Sequence, residues 1–292
     1  GTTLTQTGNF DIGDPGCEVR WDPKGNYLIV CQQGDGGGSQ LVEFYKFARN
    51  SEELNLTTTF TIISDAESSA TVRWYPMGDK FSVLGQSILK SYNWNGEISE
   101  QLSGMAVDYG TQAWSVKWNP INNNYLAVGG TEPTDGKELK VFYFDSNKTL
   151  TLLRGCNSNY GDAIYSVDWA PNGYWLAVGG YSPTNNHELQ VYRFNSQSSL
   201  ALTTSAEYGD SIYSVAWSSD GNYLAVGGSG SNDGAELHIY SMNTQDYLYQ
   251  VTGANYGNRI LEMDWSSDSQ YLALAGGTPD NGNELQIYSF DS

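Results

Sequence analysis

Short apolar stretches alternate with polar turns along almost the whole chain. In one unit, "YSVDW" (165–169) alternates as a half-buried strand, "APNG" (170–173) is typical of a tight turn, and "YWLAVGG" (174–180) fits a fully buried strand. A loop rich in Asn precedes a third strand, "ELQVYRF" (188–194), and a more polar fourth strand, "SLALTTSAE" (199–207), follows. Short strands, frequent turn residues and the lack of a helical period predict an all-β fold.

The same unit recurs along the chain. "NYGDAIYSVDW" (159–169) returns 48 residues later as "EYGDSIYSVAW", and the tryptophan that closes this stretch is one of six equivalent residues, Trp21, Trp74, Trp118, Trp169, Trp217 and Trp265. A period near 48 residues with four strands per unit is typical of a propeller blade. We therefore predict a six-bladed β-propeller with four antiparallel strands per blade, forming a single domain over 1–292. The predicted blades span approximately 17–63, 70–108, 113–159, 164–207, 212–255 and 260–292.

The two ends of the chain complement each other. The last unit stops at "ELQIYSFDS", a third strand, whereas the opening "TTLTQTGNF" resembles the fourth strand of other units. We expect residues 2–10 to complete the last blade, because closing the ring removes the exposed sheet edges.

The repeated stretch "SVDWAPNGYWLAVGG" resembles the WD40 repeat, and the resemblance extends over essentially the whole chain. Two features of that family are missing. Tyrosine stands at the His position of its Gly-His dipeptide, and the Trp position of its Trp-Asp dipeptide holds Tyr45, Tyr92, Phe142, Tyr192, Tyr240 and Tyr288. The resemblance implies the propeller fold but excludes the family's His–Asp–Trp network in its usual form.

The net charge narrows the classes of partner. The chain has 14 Lys and Arg against 33 Asp and Glu, a formal charge of −19, which disfavours nucleic acid and anionic membrane surfaces. No apolar run approaches the length of a membrane span, and the chain does not start with a signal-peptide pattern. The acidic surface with few lysines favours an extracellular or cell-surface protein, with a cytoplasmic location as the alternative.

Cysteines and sequons leave alternatives open. Cys17, Cys31 and Cys156 do not have the spacing of a metal site. Cys17 and Cys31 flank a predicted hairpin, so either one disulfide or three thiols fits the sequence. Asn55 and Asn147 begin Asn-X-Thr sequons, which matter only in a eukaryotic secretory pathway.

The corners that open the blades are predicted to be structural. Tyr160 and Asp162 are expected to satisfy backbone amides at one corner, since buried polar groups need partners. Ligand binding is the less favoured alternative for this position. The equivalent corner residues are Tyr109, Tyr208, Tyr256 and Asp210.

A second set of positions is predicted to bind a partner. Counting back four residues from the strand tryptophans of the last four blades gives Trp114, Tyr165, Tyr213 and Leu261. The WD40 resemblance implies that this position reaches the face where the entry loops and the second-to-third-strand loops gather. Aromatic rings are frequent anchors of protein interfaces. The alternative is that these rings only pack between neighbouring blades.

The sequence does not indicate a catalytic site. It shows neither a Ser-His-Asp triad, nor the arginine cluster and Asp-box turns of sialidase-type propellers, nor the spaced carboxylates of a calcium loop. We therefore predict a non-catalytic scaffold that binds a protein partner or copies of itself, without metal or cofactor. A glycan-binding propeller is the main alternative, and a glycoside hydrolase-type propeller is disfavoured.

Overall fold

Antiparallel β-strands form all the regular structure that the computed structural model describes. The described residues are 16–33, 39–48, 53–63, 71–84, 88–101, 107–109, 112–131, 135–145, 149–195, 199–243, 245–279, 282 and 284–291, and they contain no helix. The chain divides into two compact units, one of residues 1–109 with 147–149 and one of residues 110–146 with 150–292.

The first unit contains two sheets. The strands of one are β1 (Gly16–Trp21), β2 (Tyr27–Gln33), β3 (Ser39–Ala48) and β4 (Glu53–Ile63), paired in that order. The strands of the other are β5 (Thr71–Trp74), β6 (Lys80–Leu84), β7 (Ile88–Trp94), β8 (Ile98–Gln101) and β9 (Val107–Asp108). Both β8 and β9 pair with β7. They therefore share one edge and together act as a fourth strand.

Aromatic side chains form the core of the first unit. Phe44 of β3 stacks on Trp94 of β7, with ring centroids 4.4 Å apart and an interplanar angle of 18°. Trp74 meets both rings edge to face. Such rings bury large apolar areas, and their packing joins the two sheets.

The second unit contains the remaining strands. Its first two sheets comprise β10 (Gln112–Trp118), β11 (Tyr125–Thr131), β12 (Leu139–Phe144) and β13 (Leu150–Ser158), then β14 (Ala163–Trp169), β15 (Trp175–Tyr181), β16 (Leu189–Asn195) and β17 (Ser199–Ala206). A single pair, Thr131 with Ala163, links these two sheets. The third sheet comprises β18 (Ile212–Trp217), β19 (Tyr223–Gly228), β20 (Leu237–Met242) and β21 (Leu248–Ala254). The last comprises β22 (Ile260–Trp265), β23 (Tyr271–Gly276) and β24 (Leu285–Ser289).

The repeat in the sequence corresponds to these sheets. Each of the six repeated tryptophans is the last residue of the first strand of a sheet, so the prediction of an all-β fold built from antiparallel four-stranded sheets is confirmed. The last sheet has three strands among the described residues. Residues 2–10, which are expected to complete it, lie outside the described residues. The count of six blades and the single domain stay predictions.

Glycine pairs in the second strands set how closely the sheets approach. A Cβ on Gly179 of β15 would collide with Cγ2 of Ile212 on the next sheet, and a Cβ on Gly180 would collide with the carbonyl oxygen of Ala163 in the same sheet. The first glycine therefore permits close packing between sheets, and the second permits close approach within one sheet. Gly227 and Gly228 of β19 play the same two parts.

The cysteines and sequons singled out in the sequence are only partly within the described residues. Cys31 and Cys156 are buried, but the side chain of Cys17 lies outside the described residues, so the choice between disulfide and thiols stays open. Asn55 is exposed on β4, and Asn147 lies outside the described residues. The part of the chain that the structure describes has no helix long and apolar enough to cross a membrane.

Candidate functional site

A β-bulge marks every predicted partner-binding position. The pairing of first and second strands shifts register between Ala113 and Ser115, and likewise in the next three sheets between Ile164 and Ser166, Ile212 and Ser214, and Ile260 and Glu262. Trp114, Tyr165, Tyr213 and Leu261 are thus the residues left out of the ladder. A bulge releases a side chain from strict strand alternation and re-aims it.

Three of the four bulge residues form a row of rings, which we call the aromatic row (Trp114, Tyr165 and Tyr213). The Trp114 and Tyr165 centroids lie 6.0 Å apart at 79°, and the Tyr165 and Tyr213 centroids lie 5.5 Å apart at 29°. Trp114 is 37% exposed, and both tyrosines are partly exposed. The rings therefore contact one another across neighbouring sheets and still present surface to solvent. Leu261, 42% exposed, occupies the same position in the last sheet.

A serine that follows each ring fixes the spacing of the row. Ser115 Oγ accepts a hydrogen bond from the backbone N–H of Val167 at 3.1 Å, and Ser166 Oγ accepts one from Val215 N–H at 3.1 Å. The next sheets repeat this contact between Ser214 and Met263 N–H. Because each serine ties its strand to the next sheet, the positions of the rings are set by the backbone.

The corners that open the sheets are capped by glutamates from the preceding sheet. Glu188 Oε2 accepts the backbone N–H groups of Tyr208 (2.8 Å) and Gly209 (3.1 Å). Glu138 caps Tyr160 and Gly161 in the same way, and Glu236 caps Tyr256 and Gly257. These side-chain bonds join consecutive sheets. These glutamates are not among the residues predicted from the sequence.

The hydroxyls of the corner tyrosines form a second set of hydrogen bonds, each within the tyrosine's own sheet. The buried hydroxyl of Tyr160 donates to the backbone carbonyl of Glu188 at 2.6 Å, and Tyr208 donates to Glu236 at 2.7 Å. Tyr256 does the same toward Glu284, and Tyr109 is also buried. Burial is the main reason why the pKa of Tyr160 lies far above its usual value.

The predicted chemistry of these corners therefore needs correction. The hydroxyl was expected to satisfy backbone amides, but it donates to a carbonyl. The capping carboxylate was expected to be Asp162, but Glu138 accepts the amides and Asp162 is exposed. Asp210 is exposed at the equivalent position. The glutamate side chain extends from the preceding sheet to the corner amides and takes the place that was predicted for the corner aspartate.

The exposed aspartates lie beside the aromatic row. The pKa of Tyr165 is raised, mainly because the hydroxyl is partly buried. Smaller electrostatic contributions come from Tyr213, Asp162, Tyr181 and Asp210, in that order. Tyr181, at the end of β15, is 43% exposed. The centre of the row is thus bordered by carboxylates and a further ring.

The loop after β15 carries backbone strain next to this site. Ser182 has φ of 49°, in the left-handed region that side chains disfavour. Glycine, Gly230, holds the equivalent position after β19 with φ of 64°. Thr184 N–H donates to the carbonyl of Tyr160 at 2.7 Å, so the loop is tied to its own corner.

A second pattern that the sequence analysis missed locks these loops to the third strands. His238 Nε2 lies 2.9 Å from Asp233 Oδ1, and its Nδ1 lies 3.2 Å from the hydroxyl of Tyr240. In the preceding sheets the same positions pair Gln190 with Asn185 and Lys140 with Asp135. His238 is thus buried within a structural contact. The backbone N–H of Ala235 and the ring of His238 lower the pKa of Asp233 to about 2.

Other titratable side chains take part in local contacts. Within the described ranges, no group of three or more His, Cys, Asp and Glu side chains could hold a metal ion. His187 Nδ1 lies 2.7 Å from Ser205 Oγ, a contact that joins its loop to β17. Lys117 pairs with Asp168 at 3.1 Å, and Asp168 also accepts the N–H of Trp217.

A second apolar feature lies at the turns between first and second strands. Ile121 is 69% exposed and Tyr174 is 65% exposed. Both line a shallow groove of about 210 Å³ together with Tyr125 and Phe194. Its residues are not among those predicted from the sequence to bind a partner.

Two family profiles match parts of the chain. Residues 181–268 match the profile described as "Anaphase-promoting complex subunit 4 WD40 domain", and residues 148–184 match "WD domain, G-beta repeat". The matches confirm the resemblance to WD40-repeat propellers in the second unit. No curated protein sequence gives a significant match.

Solved structures resemble this protein in fold across most of the chain. Periplasmic gluconolactonase PpgL from Pseudomonas aeruginosa aligns with a TM-score of 0.73 and 14% identity, covering 94% of this chain and 80% of that one. A chain of a mitotic checkpoint complex aligns with a TM-score of 0.70 and 18% identity, covering 99% and 79%. Sqt1 from Chaetomium thermophilum aligns with a TM-score of 0.65 and 16% identity, covering 94% and 70%. At these identities the likeness establishes the fold alone.

Proposed function

We propose that the protein is a non-catalytic interaction module that binds a protein partner through the aromatic row. One observation carries the proposal: three partly exposed rings lie side by side at bulges in the first strands of three consecutive sheets, and serine hydrogen bonds join those sheets. Rigid aromatic anchors of this kind lose little conformational entropy on binding. A second copy of the chain is included among the partners.

An enzymatic role is the less favoured alternative. One fold neighbour is a gluconolactonase, so lactone hydrolysis has to be tested. The candidate face has the exposed carboxylates of Asp162 and Asp210, and the two histidines are engaged in contacts with Ser205, Asp233 and Tyr240. We expect purified protein to hydrolyse gluconolactone no faster than the buffer does, in a pH-stat assay. Turnover above that background would overturn the non-catalytic assignment.

Glycan binding is the second candidate function, because aromatic rings with polar tips also stack on sugars. The two functions differ in where binding should occur. A lectin would bind weakly at several similar sheets, whereas an interaction module would concentrate affinity on the aromatic row. The exposed bulge residue is aromatic in three sheets and leucine in the fourth, which favours one localised site.

The test compares two matched variants. The site variant replaces Trp114, Tyr165 and Tyr213 with alanine, and the control variant replaces the exposed Ile121, Tyr174 and Tyr247. Each protein, once shown to be folded by circular dichroism, is panned against a random peptide library and applied to a glycan array. Peptides that bind the wild type and the control but not the site variant support the proposal. If the site variant still binds the peptides, the proposal is contradicted. If the site variant alone loses binding to a glycan, the protein is a lectin instead.

Two further proposals concern the whole chain. We propose that six blades close into a ring with residues 2–10 in the last sheet; deletion of those residues should then lower the thermal midpoint markedly, and an unchanged midpoint would contradict closure. We also propose an extracellular or cell-surface location rather than a cytoplasmic one, on the grounds of the charge of −19. Surface labelling of intact producing cells would test it.

A further inference from the structure

The surroundings of the aromatic row are acidic at its centre. Asp162 and Asp210 each precede a ring of the row by three residues, at the exposed corners of consecutive sheets. Asp210 lies against the loop after β19, since a Cβ on Gly230 would approach its Cβ to 2.9 Å. Both carboxylates also act electrostatically on the Tyr165 hydroxyl. Neither is used to cap a corner, because glutamates perform that task.

Two positive side chains, Lys117 and Arg259, belong to the sheets on either side of the two tyrosine-bearing sheets. Lys117 is engaged by Asp168 at 3.1 Å. Arg259 is exposed beside Leu261, in the sheet beyond Tyr213. In that sheet the position of Asp162 and Asp210 is taken by Asn258, so the carboxylates coincide with the tyrosines of the row. The arrangement combines electron-rich ring faces with fixed negative charge.

We infer that the aromatic row binds an extended, arginine-bearing segment of a partner protein, with guanidinium groups against the rings and beside Asp162 and Asp210. This inference rests on the proposed function and names the chemistry of the partner. A guanidinium is planar, stacks on tyrosine and tryptophan, and donates a forked pair of hydrogen bonds to a carboxylate. The net charge of −19 adds long-range attraction for a basic partner.

The spacing of the rings is close to that of alternate side chains on an extended segment. Successive centroids lie 6.0 Å and 5.5 Å apart. Alternate residues of an extended strand are separated by about 6.6 Å. Side chains at alternate positions of such a segment can therefore reach neighbouring rings.

The experiment measures binding of a fluorescein-labelled (Gly-Arg)4 peptide by fluorescence anisotropy. Three proteins are compared: the wild type, the Asp162→Asn/Asp210→Asn variant, and a control, Glu97→Gln/Asp291→Asn, which loses two exposed charges elsewhere. We expect the wild type and the control to bind alike and the site variant to bind at least about tenfold more weakly. A (Gly-citrulline)4 peptide, which keeps the shape but not the charge, should lose affinity to the same degree.

The outcomes separate this inference from the proposed function. Absence of (Gly-Arg)4 binding, or equal binding by the wild type and the Asp162→Asn/Asp210→Asn variant, overturns the arginine assignment. If library peptides without arginine bind through the aromatic row, the interaction module stands and the inference falls. If the alanine variant of the row retains (Gly-Arg)4 binding, the peptide binds elsewhere and the inference falls, while the library panning decides the proposed function.

Discussion

Glu188 offers the sharpest test of how the sheets of the second unit are joined. The residue is 8% exposed. Its carboxylate accepts two backbone N–H groups of the following sheet, from Tyr208 and Gly209, and its backbone carbonyl accepts the Tyr160 hydroxyl. Replacing Glu188 with alanine removes the first two bonds and leaves the third in place. The change therefore isolates the link between one sheet and the next.

The expected magnitude follows from what the substitution leaves behind. Tyr208 is 1% exposed, so its N–H remains buried without the carboxylate, at a cost of about 1–3 kcal/mol. Gly209 is exposed, and water can replace the carboxylate there at little cost. Glu188→Ala should thus lower the free energy of unfolding by about 1–3 kcal/mol. Glu188→Gln keeps an acceptor for both amides and should cost only about 1 kcal/mol.

Urea unfolding followed by tryptophan fluorescence measures these differences at pH 7. Glu207→Ala is the control, since Glu207 is an exposed residue whose carboxylate contacts only the exposed Asn232 side chain among the bonds described. It should change stability by less than about 0.5 kcal/mol. If Glu188→Ala and Glu207→Ala are equally stable, the corner amides do not depend on the carboxylate. If Glu188→Gln is as damaging as Glu188→Ala, packing rather than hydrogen bonding explains the effect.

Three further predictions concern the loops. Ser182→Gly should raise the free energy of unfolding by about 1 kcal/mol in urea, because the φ of 49° suits glycine; a loss of stability would refute the strain. The low pKa of Asp233, about 2, lies below its unfolded value, so its carboxylate stabilises the fold above about pH 4 and ceases to as pH falls through about 2. The gap in thermal midpoint between wild type and Asp233→Asn should therefore narrow over that range, and a constant gap would contradict it. His238→Gln should lower the free energy of unfolding less in an Asp233→Asn background than in the wild type, because the double variant recreates the Asn–Gln pair of the preceding sheet. A double-mutant cycle should give a coupling of about 0.5–1 kcal/mol.

The local pattern of apolar and polar residues was sufficient to predict the strands and their order along the chain. Alternation and turn residues are properties of a few neighbouring residues, so they locate the end of each first strand at its tryptophan. The bonds between sheets depend on residues far apart in sequence. Glu188 lies 20 residues before Tyr208, and Glu138 lies 22 residues before Tyr160. A nearly constant separation of glutamate and corner tyrosine was visible, but only the fold shows that the two meet.

The aromatic row shows why repetition alone does not identify a site. The bulge recurs in the first strand of each sheet of the second unit, and the glycine pairs recur in β15 and β19 because the close approach of the sheets requires them. The architecture therefore accounts for the bulge itself. It does not dictate which side chain occupies the bulge, since leucine fills the same position at Leu261. Packing therefore does not require an aromatic residue at this position. Three consecutive sheets nevertheless have tyrosine or tryptophan there, and two of them have a carboxylate beside the ring. The proposed binding therefore depends on the residues that vary among the repeats, and stability depends on the residues that the repeats share.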